Sequence, residues 1–255
     1  MLWQLIFGFY LAAAIGIIAW WRKALDVSGT IAAVIVGTII FGLGGLGASV
    51  ALVVFFTTGS ILSGLPNRHP TLLPAERHGR NWRQILANGF VPVLMILLSR
   101  IIPESAHVWQ LAYYGSVAAS ASDTWATEFG VRYGVKVRDL LIGEFIPSGL
   151  SGGVSVVGIA ASILGSIAIA FCSTIQFGFE ARAINIIAVA GIFGSLADSL
   201  LGSSLQAKYR SSEGIVSDRA GSEGSVLVSG LPIITNSVVN FVSSAIGAFI
   251  CGLLL

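Results

Sequence analysis

Eight apolar stretches fill most of this 255-residue sequence, and most of them are about as long as a helix that crosses a bilayer. Only 10% of the residues are charged, whereas a soluble domain carries about 25%, so the chain lacks the polar surface that a water-soluble globule needs. The pattern predicts an all-α polytopic integral membrane protein, a bundle of about eight transmembrane helices. No low-complexity linker divides the chain, and we expect residues 1–255 to form a single membrane domain.

The basic residues predict how these helices cross the membrane. The predicted helices span about 2–21, 27–41, 45–65, 85–102, 108–129, 153–173, 184–206 and 231–254. With the N-terminus outside, 12 of the 14 lysines and arginines fall in the inner loops, and only Arg100 and Arg182 fall in the outer ones. Cytoplasmic loops of membrane proteins carry this excess of basic residues. We therefore expect both termini outside, and the net charge of only +2 gives no indication of a nucleic-acid partner.

Three acidic residues lie near the predicted inner ends of transmembrane helices: Asp123, Glu128 and Asp198. A charged side chain within a membrane costs on the order of 2.5–3.5 kcal/mol on insertion scales, so it is retained where it faces a polar cavity, a partner or an ion. Uncharged polar residues share this predicted depth: Asn88, Gln206, Asn236 and Asn240. Because the outer halves of the same helices are almost purely apolar, the sequence predicts a site that opens to the cytoplasm.

Carboxylates on two helices at one depth favour a divalent metal site. Mg²⁺ is commonly held by one or two carboxylates together with substrate phosphates and retained waters. We therefore predict Asp123, Glu128 and Asp198 as catalytic residues and ligands of Mg²⁺ (or Mn²⁺). The alternative is structural: the aspartates would cap or bridge helices, or pair with arginines of the inner loops.

Two inner loops offer groups that bind phosphate. Arg77 and Arg80 precede the fourth predicted helix, and the arginine fork matches phosphate oxygens, although the inner position alone also explains basic residues there. Ser151, Gly152 and Gly153 come directly before the sixth predicted helix, where backbone N–H groups and the helix N-terminus can bind an anion. A Gly-Gly pair before a helix is common, and the Gly-Lys-Ser/Thr of a Walker A motif is missing.

Six motifs follow one another along the chain: KALDVSGTIAAVIVGTIIFGLGG, RQILANG, ASASDTWATEFG, IPSGLSGGVSVVG, GSLADSLLGSSLQAKY and TNSVVNF. Together, and in this order, they resemble the integral membrane family called domain of unknown function 92. The family includes the eukaryotic transmembrane protein 19 and the phytyl-phosphate kinase of vitamin E synthesis. The resemblance extends from about residue 23 to residue 255, nearly the whole chain.

The resemblance implies a membrane-embedded kinase that transfers a phosphoryl group from a nucleoside triphosphate to an isoprenyl monophosphate. Phytyl phosphate would become phytyl diphosphate for tocopherol biosynthesis, in a bacterial or cyanobacterial inner membrane or a thylakoid membrane. Its implied partners are the isoprenyl phosphate, the nucleotide and membrane lipids, and a homo-oligomer is left open. By motif, the implied site residues are Asn88, Asp123, Glu128, Ser151, Gly152, Gly153, Asp198, Gln206, Asn236 and Asn240.

The sequence departs from the family pattern in two places, and two other functions compete with the kinase hypothesis. The expected proline-rich turn reads Pro147-Ser148-Gly149, and the segment 211–229 is longer and more hydrophilic than the family pattern. An ion-coupled transporter or lipid-handling protein would use the same intramembrane acids to bind an ion, but polar residues would then be expected through the full thickness of the membrane. A cytidylyl or phospholipid phosphotransferase would use the same metal site. The sequence does not distinguish the nucleotide donors, or phytyl from geranylgeranyl chains.

Overall fold

Helices dominate the computed structural model of the chain, which describes residues 2–65, 79–134, 136–220 and 225–255. Eight helices of 17 residues or more lie in these ranges, and their positions agree closely with the predicted ones. Their bounds are α1 Leu2–Trp21, α2 Val27–Leu43, α3 Gly45–Gly64, α4 Trp82–Ile101, α5 Ala106–Tyr133, α6 Val156–Cys172, α8 Ala181–Ser204 and α9 Asn236–Leu253, with a single turn α7 at Thr174–Phe177. The predicted all-α membrane fold is confirmed.

Six of the eight helices in the described residues are long and apolar enough to cross a membrane by themselves. The two exceptions have separate reasons. Helix α2 has only 17 residues, and α5 carries too many polar side chains for its length. Helix α6 also has 17 residues, but it continues into α7 and the two form one apolar span, Val156–Phe177. Helix α5 has 28 residues, about 42 Å at 1.5 Å per residue, and it is the longest element of the bundle.

Helix α5 is the centre of the bundle. It packs against α3, α4, α6, α8 and α9, whereas α1 packs mainly along α2 at the periphery. Every residue from 111 to 122 is buried, and most of these residues are Gly, Ala or Ser. Small side chains let helix backbones approach closely in lipid. At Gly115, for example, an added Cβ would lie 2.5 Å from the carbonyl oxygen of Gly247 in α9.

Local capping fixes where several helices begin. Asp26 caps α2 by accepting from the N–H of Gly29 at 2.7 Å, and Ser155 caps α6 by accepting from the N–H of Gly158 at 3.1 Å. Asn81 and Gln84 form a reciprocal capping box at α4. Capping side chains satisfy backbone N–H groups that have no partner within the helix.

Short strands cover the end of the bundle where α3, α5 and α8 finish and α4, α6 and α9 begin, which we call the polar end. Strands β1 (Arg138–Asp139) and β2 (Gly153–Val154) form an antiparallel pair, and β3 (Lys208–Arg210) pairs with both β4 (Val216–Ser217) and β5 (Val226–Ser229). The sequence did not predict these strands. Pairing in β2 explains why α6 begins at Val156 and not at the predicted residue 153.

Candidate functional site

An open cavity of about 220 Å³ lies at the polar end, between α5, α6, α8 and the loop that precedes α6. Three carboxylates line it: Asp123 from α5, Asp198 from α8, and Asp218 from the segment between α8 and α9. Asp198 lies within electrostatic range of both other aspartates. No lysine or arginine of the described residues lines the cavity, although the charge of Lys208 reaches Asp218 from outside it. A cation in the cavity would reduce the repulsion among the three carboxylates.

Helix α9 brings two of the predicted asparagines to this site. Asn236 lines the cavity at the first turn of the helix. Asn240 lies one turn further on; with its amide nitrogen turned towards its neighbours, it donates to Oδ2 of Asp198 at 3.2 Å and to the carbonyl oxygen of Asn236 at 2.9 Å. A donor on Asp198 stabilises the charged carboxylate and fixes its orientation.

The loop at residues 148–153, which we call the glycine loop, forms the floor of the cavity. It rests directly on the C-terminal end of α8. Gly152 has φ +84°, and an added Cβ would lie 2.5 Å from both Cα and N of Ser203. A residue with a side chain cannot occupy this position without moving the backbone, which is the physical reason for glycine here.

A hydrogen-bonded chain connects the glycine loop to Asp218 and Gln206. Ser151 donates its N–H to Oδ2 of Asp218 at 3.1 Å and its hydroxyl to the same oxygen at 2.7 Å. Nε2 of Gln206 donates to the Ser151 hydroxyl at 2.6 Å. Gln206 was predicted to end a helix and face the substrate, but α8 ends at Ser204 and Gln206 lies fully buried behind Ser151.

Buried charge also holds β1, which pairs with β2 at the end of the glycine loop, against the end of α8. The carboxylate of Asp139 accepts from the N–H groups of Leu141 and Ile142 at 3.0 Å and from the hydroxyl of Ser203, and Nζ of Lys208 lies 3.9 Å from its second oxygen. Burial acts to raise the pKa of Asp139, but these hydrogen bonds and the charge of Lys208 outweigh it, and the pKa lies below its ordinary value. Asp139 therefore stays ionised and holds β1 against α8, and the pairing of β1 with β2 extends that support to the end of the glycine loop.

Asp218 was missed by the reasoning from the sequence. It lies in a hydrophilic segment outside the predicted helices, where acidic residues are ordinary, so its position carried no signal. Burial raises the pKa of Asp218 above its ordinary value, while the hydrogen bonds from Ser151 and the charge of Lys208 oppose that effect. Only the tertiary structure, through the contact of Asp218 with Ser151, brings it to the cavity.

Glu128 does not join the other two predicted metal ligands, and this corrects the predicted three-carboxylate cluster. Five residues along a helix amount to about 500°, so Glu128 faces well away from Asp123. Its carboxylate accepts from the hydroxyl of Ser63 in α3, and the guanidinium of Arg80 donates to the same hydroxyl at 3.3 Å. Within the described ranges, no three His, Cys, Asp or Glu side chains are close enough to hold a metal ion by themselves.

The remaining predicted residues are divided between the cavity and other places. Ser151, Gly152 and Gly153 line the cavity. Arg80 and Asn88 do not: Arg80 contacts Ser63, and Nδ2 of Asn88 donates to the carbonyl oxygen of Gln84 in its own helix at 3.2 Å. Arg77 lies outside the described residues.

An apolar wall bounds the cavity beyond the carboxylates. Ile159 and Ile163 of α6 and Ile192 and Leu196 of α8 line it, and each pair is spaced four residues apart on one helix face. Ile192 lies six residues, about 9 Å, further from the polar end than Asp198. The cavity thus joins an anionic end to an apolar side within the bundle.

Comparison with known proteins identifies the family. The profile of the family described as integral membrane protein DUF92 matches residues 10–248. The chain belongs to this family. The resemblance predicted from the six motifs is therefore confirmed at the family level, and it covers the whole site, from the Asp123 motif in α5 to the asparagines of α9.

Relatives of this DUF92 chain come from plants, archaea and cyanobacteria. Protein PGR of Arabidopsis thaliana is 29% identical over 275 aligned residues, which cover 97% of this chain and 94% of the relative. An uncharacterized membrane protein of Methanocaldococcus jannaschii is 29% identical over 73% of this chain and 76% of its own length. Another uncharacterized membrane protein, from Synechocystis, is 27% identical over 90% of this chain and 82% of its own length. No solved structure matches the chain.

Proposed function

We propose that this DUF92 protein is a membrane-embedded kinase that converts an isoprenyl monophosphate, phytyl phosphate, to the diphosphate with a nucleoside triphosphate. The observation that carries the proposal is the cavity itself, where the carboxylates of Asp123 and Asp198, a glycine loop and an apolar wall meet. The triphosphate of a nucleotide needs a cation and backbone N–H groups, and a prenyl chain needs an apolar surface. The family resemblance supports the same reaction.

The residues present fit a divalent cation. Asp123 and Asp198 supply two carboxylates, Asn236 supplies an amide oxygen, and Mg²⁺ in phosphate sites commonly takes the rest of its ligands from water and phosphate oxygens. When bound, Mg²⁺ or Mn²⁺ would neutralise the charge that develops on the transferred phosphoryl group. Because such a site uses only one or two protein carboxylates, it does not require the cluster with Glu128.

In the proposed reaction one bond forms and one bond breaks. An oxygen of the isoprenyl phosphate attacks the γ-phosphorus of the nucleotide, a new P–O bond forms, and the bond to the β,γ-bridging oxygen breaks to release the nucleoside diphosphate. A phosphate acceptor is already an anion near neutral pH, so the protein needs no catalytic base. Its residues would orient the two phosphates. In the glycine loop the N–H groups of Leu150, Ser151 and Gly153 already donate within the protein, so those of Ser148, Gly149 and Gly152 would be the ones to bind phosphate oxygens.

The proposal includes the side of the membrane. The polar end would face the cytoplasm of a bacterial or cyanobacterial inner membrane or thylakoid, with both termini outside, as the basic residues predict. The nucleotide would then enter from the aqueous phase, and the prenyl chain would stay beside Ile163 and Leu196 at the apolar wall.

The test uses purified protein in nanodiscs with phytyl phosphate, Mg²⁺ and ATP, CTP, GTP or UTP in turn, and the products are read by mass spectrometry. We expect Asp123→Asn and Asp198→Asn each to lower turnover at least about 100-fold, because charge stabilisation by a metal is worth several kcal/mol. Activity should also vanish in EDTA and return with Mg²⁺ or Mn²⁺. Glu180→Gln removes a carboxylate at the opposite, exposed end of α8 and is the matched control.

Three results would contradict the proposal. A folded Asp123→Asn/Asp198→Asn double variant with near-wild-type turnover would place the active centre elsewhere. Equal turnover of phytyl phosphate and a water-soluble, short-chain isoprenyl phosphate would remove the role of the apolar wall. If no nucleotide supports product formation and the protein instead moves an ion across vesicle membranes in an Asp198-dependent way, the transporter alternative is correct.

A further inference from the structure

Another open cavity, of about 310 Å³, lies at the end of the bundle opposite the polar end, and we call it the second cavity. Helices α2 and α4 end there, and α1 and α3 begin there. Trp3, Gln4 and Phe7 of α1 line one side, and Arg100 of α4 lines the other. The proposed kinase reaction makes no use of this cavity.

Close helix packing fixes the shape of the second cavity. At Gly42 in α2, an added Cβ would lie 3.0 Å from Cα of Leu5 in α1, and at Gly8 it would lie 2.8 Å from the backbone nitrogen of Gly42. The first turns of α1 therefore lie directly on the end of α2. Helix α1 packs mainly along α2 and little against α4. A molecule in the cavity would thus contact two helices, α1 and α4, that hardly contact each other.

Arg100 gives the second cavity its charge. Nε and Nη2 of Arg100 both donate to the carbonyl oxygen of Leu43, the last residue of α2, with Nε at 2.9 Å. This contact holds the guanidinium in place, and the N–H groups of Nη1 have no partner among the described residues. No described Asp or Glu lines the cavity or forms an ion pair with Arg100. Arg100 therefore keeps both charge and donors for an anion.

The depth of Arg100 in the membrane indicates which anion that is. Arg100 lies in the last turn of the membrane-spanning helix α4, directly after an apolar run at residues 94–98. Arginines at the ends of such helices extend to the level of the lipid headgroups, and tryptophans such as exposed Trp3 are enriched at the same level. The abundant anion at that level is the phosphate of a phospholipid, and its oxygens match the arginine fork.

We propose that the second cavity binds the phosphate headgroup of an anionic phospholipid, with Arg100 as the phosphate ligand. The acyl chains would lie along the exposed aromatic side chains at the start of α1, Trp3 and Phe7. A headgroup with net negative charge is favoured over a zwitterionic one, because no described carboxylate in the cavity would pair with the cation of the latter. The bound lipid would link α1 to α4 and so stabilise the edge of the bundle.

The experiment titrates the purified full chain in detergent micelles with dioleoylphosphatidylglycerol and measures the bound fraction by native mass spectrometry. We expect Arg100→Gln to raise the dissociation constant of the first phosphatidylglycerol at least about 10-fold, because a charge-assisted hydrogen bond to the phosphate is lost. Glutamine keeps a donor for the carbonyl oxygen of Leu43. Arg182→Gln is the matched control. It removes the same charge at the same end of the bundle, where Arg182 donates to the carbonyl oxygen of Leu255 outside the cavity; its dissociation constant should stay within about twofold of wild type.

A second variant tests the site without changing Arg100. Gln4→Glu adds a negative charge at an exposed position of the cavity, and an acidic residue in the first turn of a helix is compatible with folding. It should also weaken phosphatidylglycerol binding about 10-fold, because the new carboxylate competes with the phosphate for Arg100. Gln4→Ala, which adds no charge, should stay within about threefold of wild type. Thermal melting without lipid reports the folding of each variant.

Thermal melting with added ligands identifies the source of the phosphate. Phosphatidylglycerol should raise the melting temperature of the wild type more than that of Arg100→Gln, whereas phosphatidylcholine and inorganic phosphate should give equal shifts in the two proteins. Arg100-dependent stabilisation by inorganic phosphate alone would make the cavity a site for a soluble anion and would overturn the lipid assignment. Wild-type affinity for phosphatidylglycerol in folded Arg100→Gln or in folded Gln4→Glu also overturns it.

Discussion

Replacing Gly152 with alanine tests whether the glycine loop must rest on the end of α8. The added Cβ would lie 2.5 Å from Cα and from N of Ser203, and both are backbone atoms of a helix. No rotation of a side chain relieves such a contact, so either the loop or the last turn of α8 has to shift. Asp198 lies on that same helix, so the shift is expected to separate the loop from the carboxylates.

The geometry gives the size of the effect. An ordinary contact at a Cβ is 3.4–4 Å, so a Cβ at 2.5 Å requires a displacement of roughly 1 Å. A misplacement of roughly 1 Å in groups that position a substrate can cost about 100-fold in rate. The left-handed conformation at φ +84° adds about 1–2 kcal/mol of strain for a residue with a side chain. We therefore expect Gly152→Ala to lower turnover by about 100-fold and to lower the melting temperature.

A second glycine in the preceding turn provides the control. Gly143 has φ +75°, and no atom lies within 4 Å of the position where its Cβ would be. Gly143→Ala thus carries the same kind of backbone strain without the collision. The assay is phytyl phosphate turnover in nanodiscs, with thermal melting alongside. Equal turnover in the two variants would refute the argument, because the contact with Ser203 would then have no consequence for the site.

Two further predictions concern the face of α5 and the orientation of the chain. Glu128→Gln should keep turnover within about threefold of wild type, because the carboxylate of Glu128 accepts from Ser63, beside Arg80, and does not line the cavity. A loss of turnover as large as that expected for Asp123→Asn or Asp198→Asn would show that Glu128 belongs to the site. Cysteine introduced at exposed Ser212, in a chain whose own cysteines are replaced, should resist a membrane-impermeant reagent in intact cells, whereas cysteine at exposed Glu104 should react. Efficient labelling of the cysteine at position 212 would contradict the proposed orientation of the chain in the membrane.

The sequence alone determined the helices and the depth of the two helix aspartates. Length and hydropathy of an apolar stretch are local properties, so α5 and α8 could be predicted to end near the same face of the membrane, with Asp123 and Asp198 close to those ends. The Gly-Gly pair at residues 152–153 likewise predicted a loop before α6 that lines the site. These features depend on residues that are neighbours in the chain.

Only the tertiary structure decided which side chains share the cavity. Glu128 lies five residues from Asp123, yet it contacts α3, because the packing of the small residues of α5 sets which face meets α6 and α8. Asp218 is 67 residues from Ser151 and lies outside every helix, yet it bonds directly to that serine. Contacts between distant residues depend on how the described residues 205–220 and 225–235 are placed across the end of the bundle. No local pattern of hydropathy or spacing encodes that placement, and it is what completes the cavity.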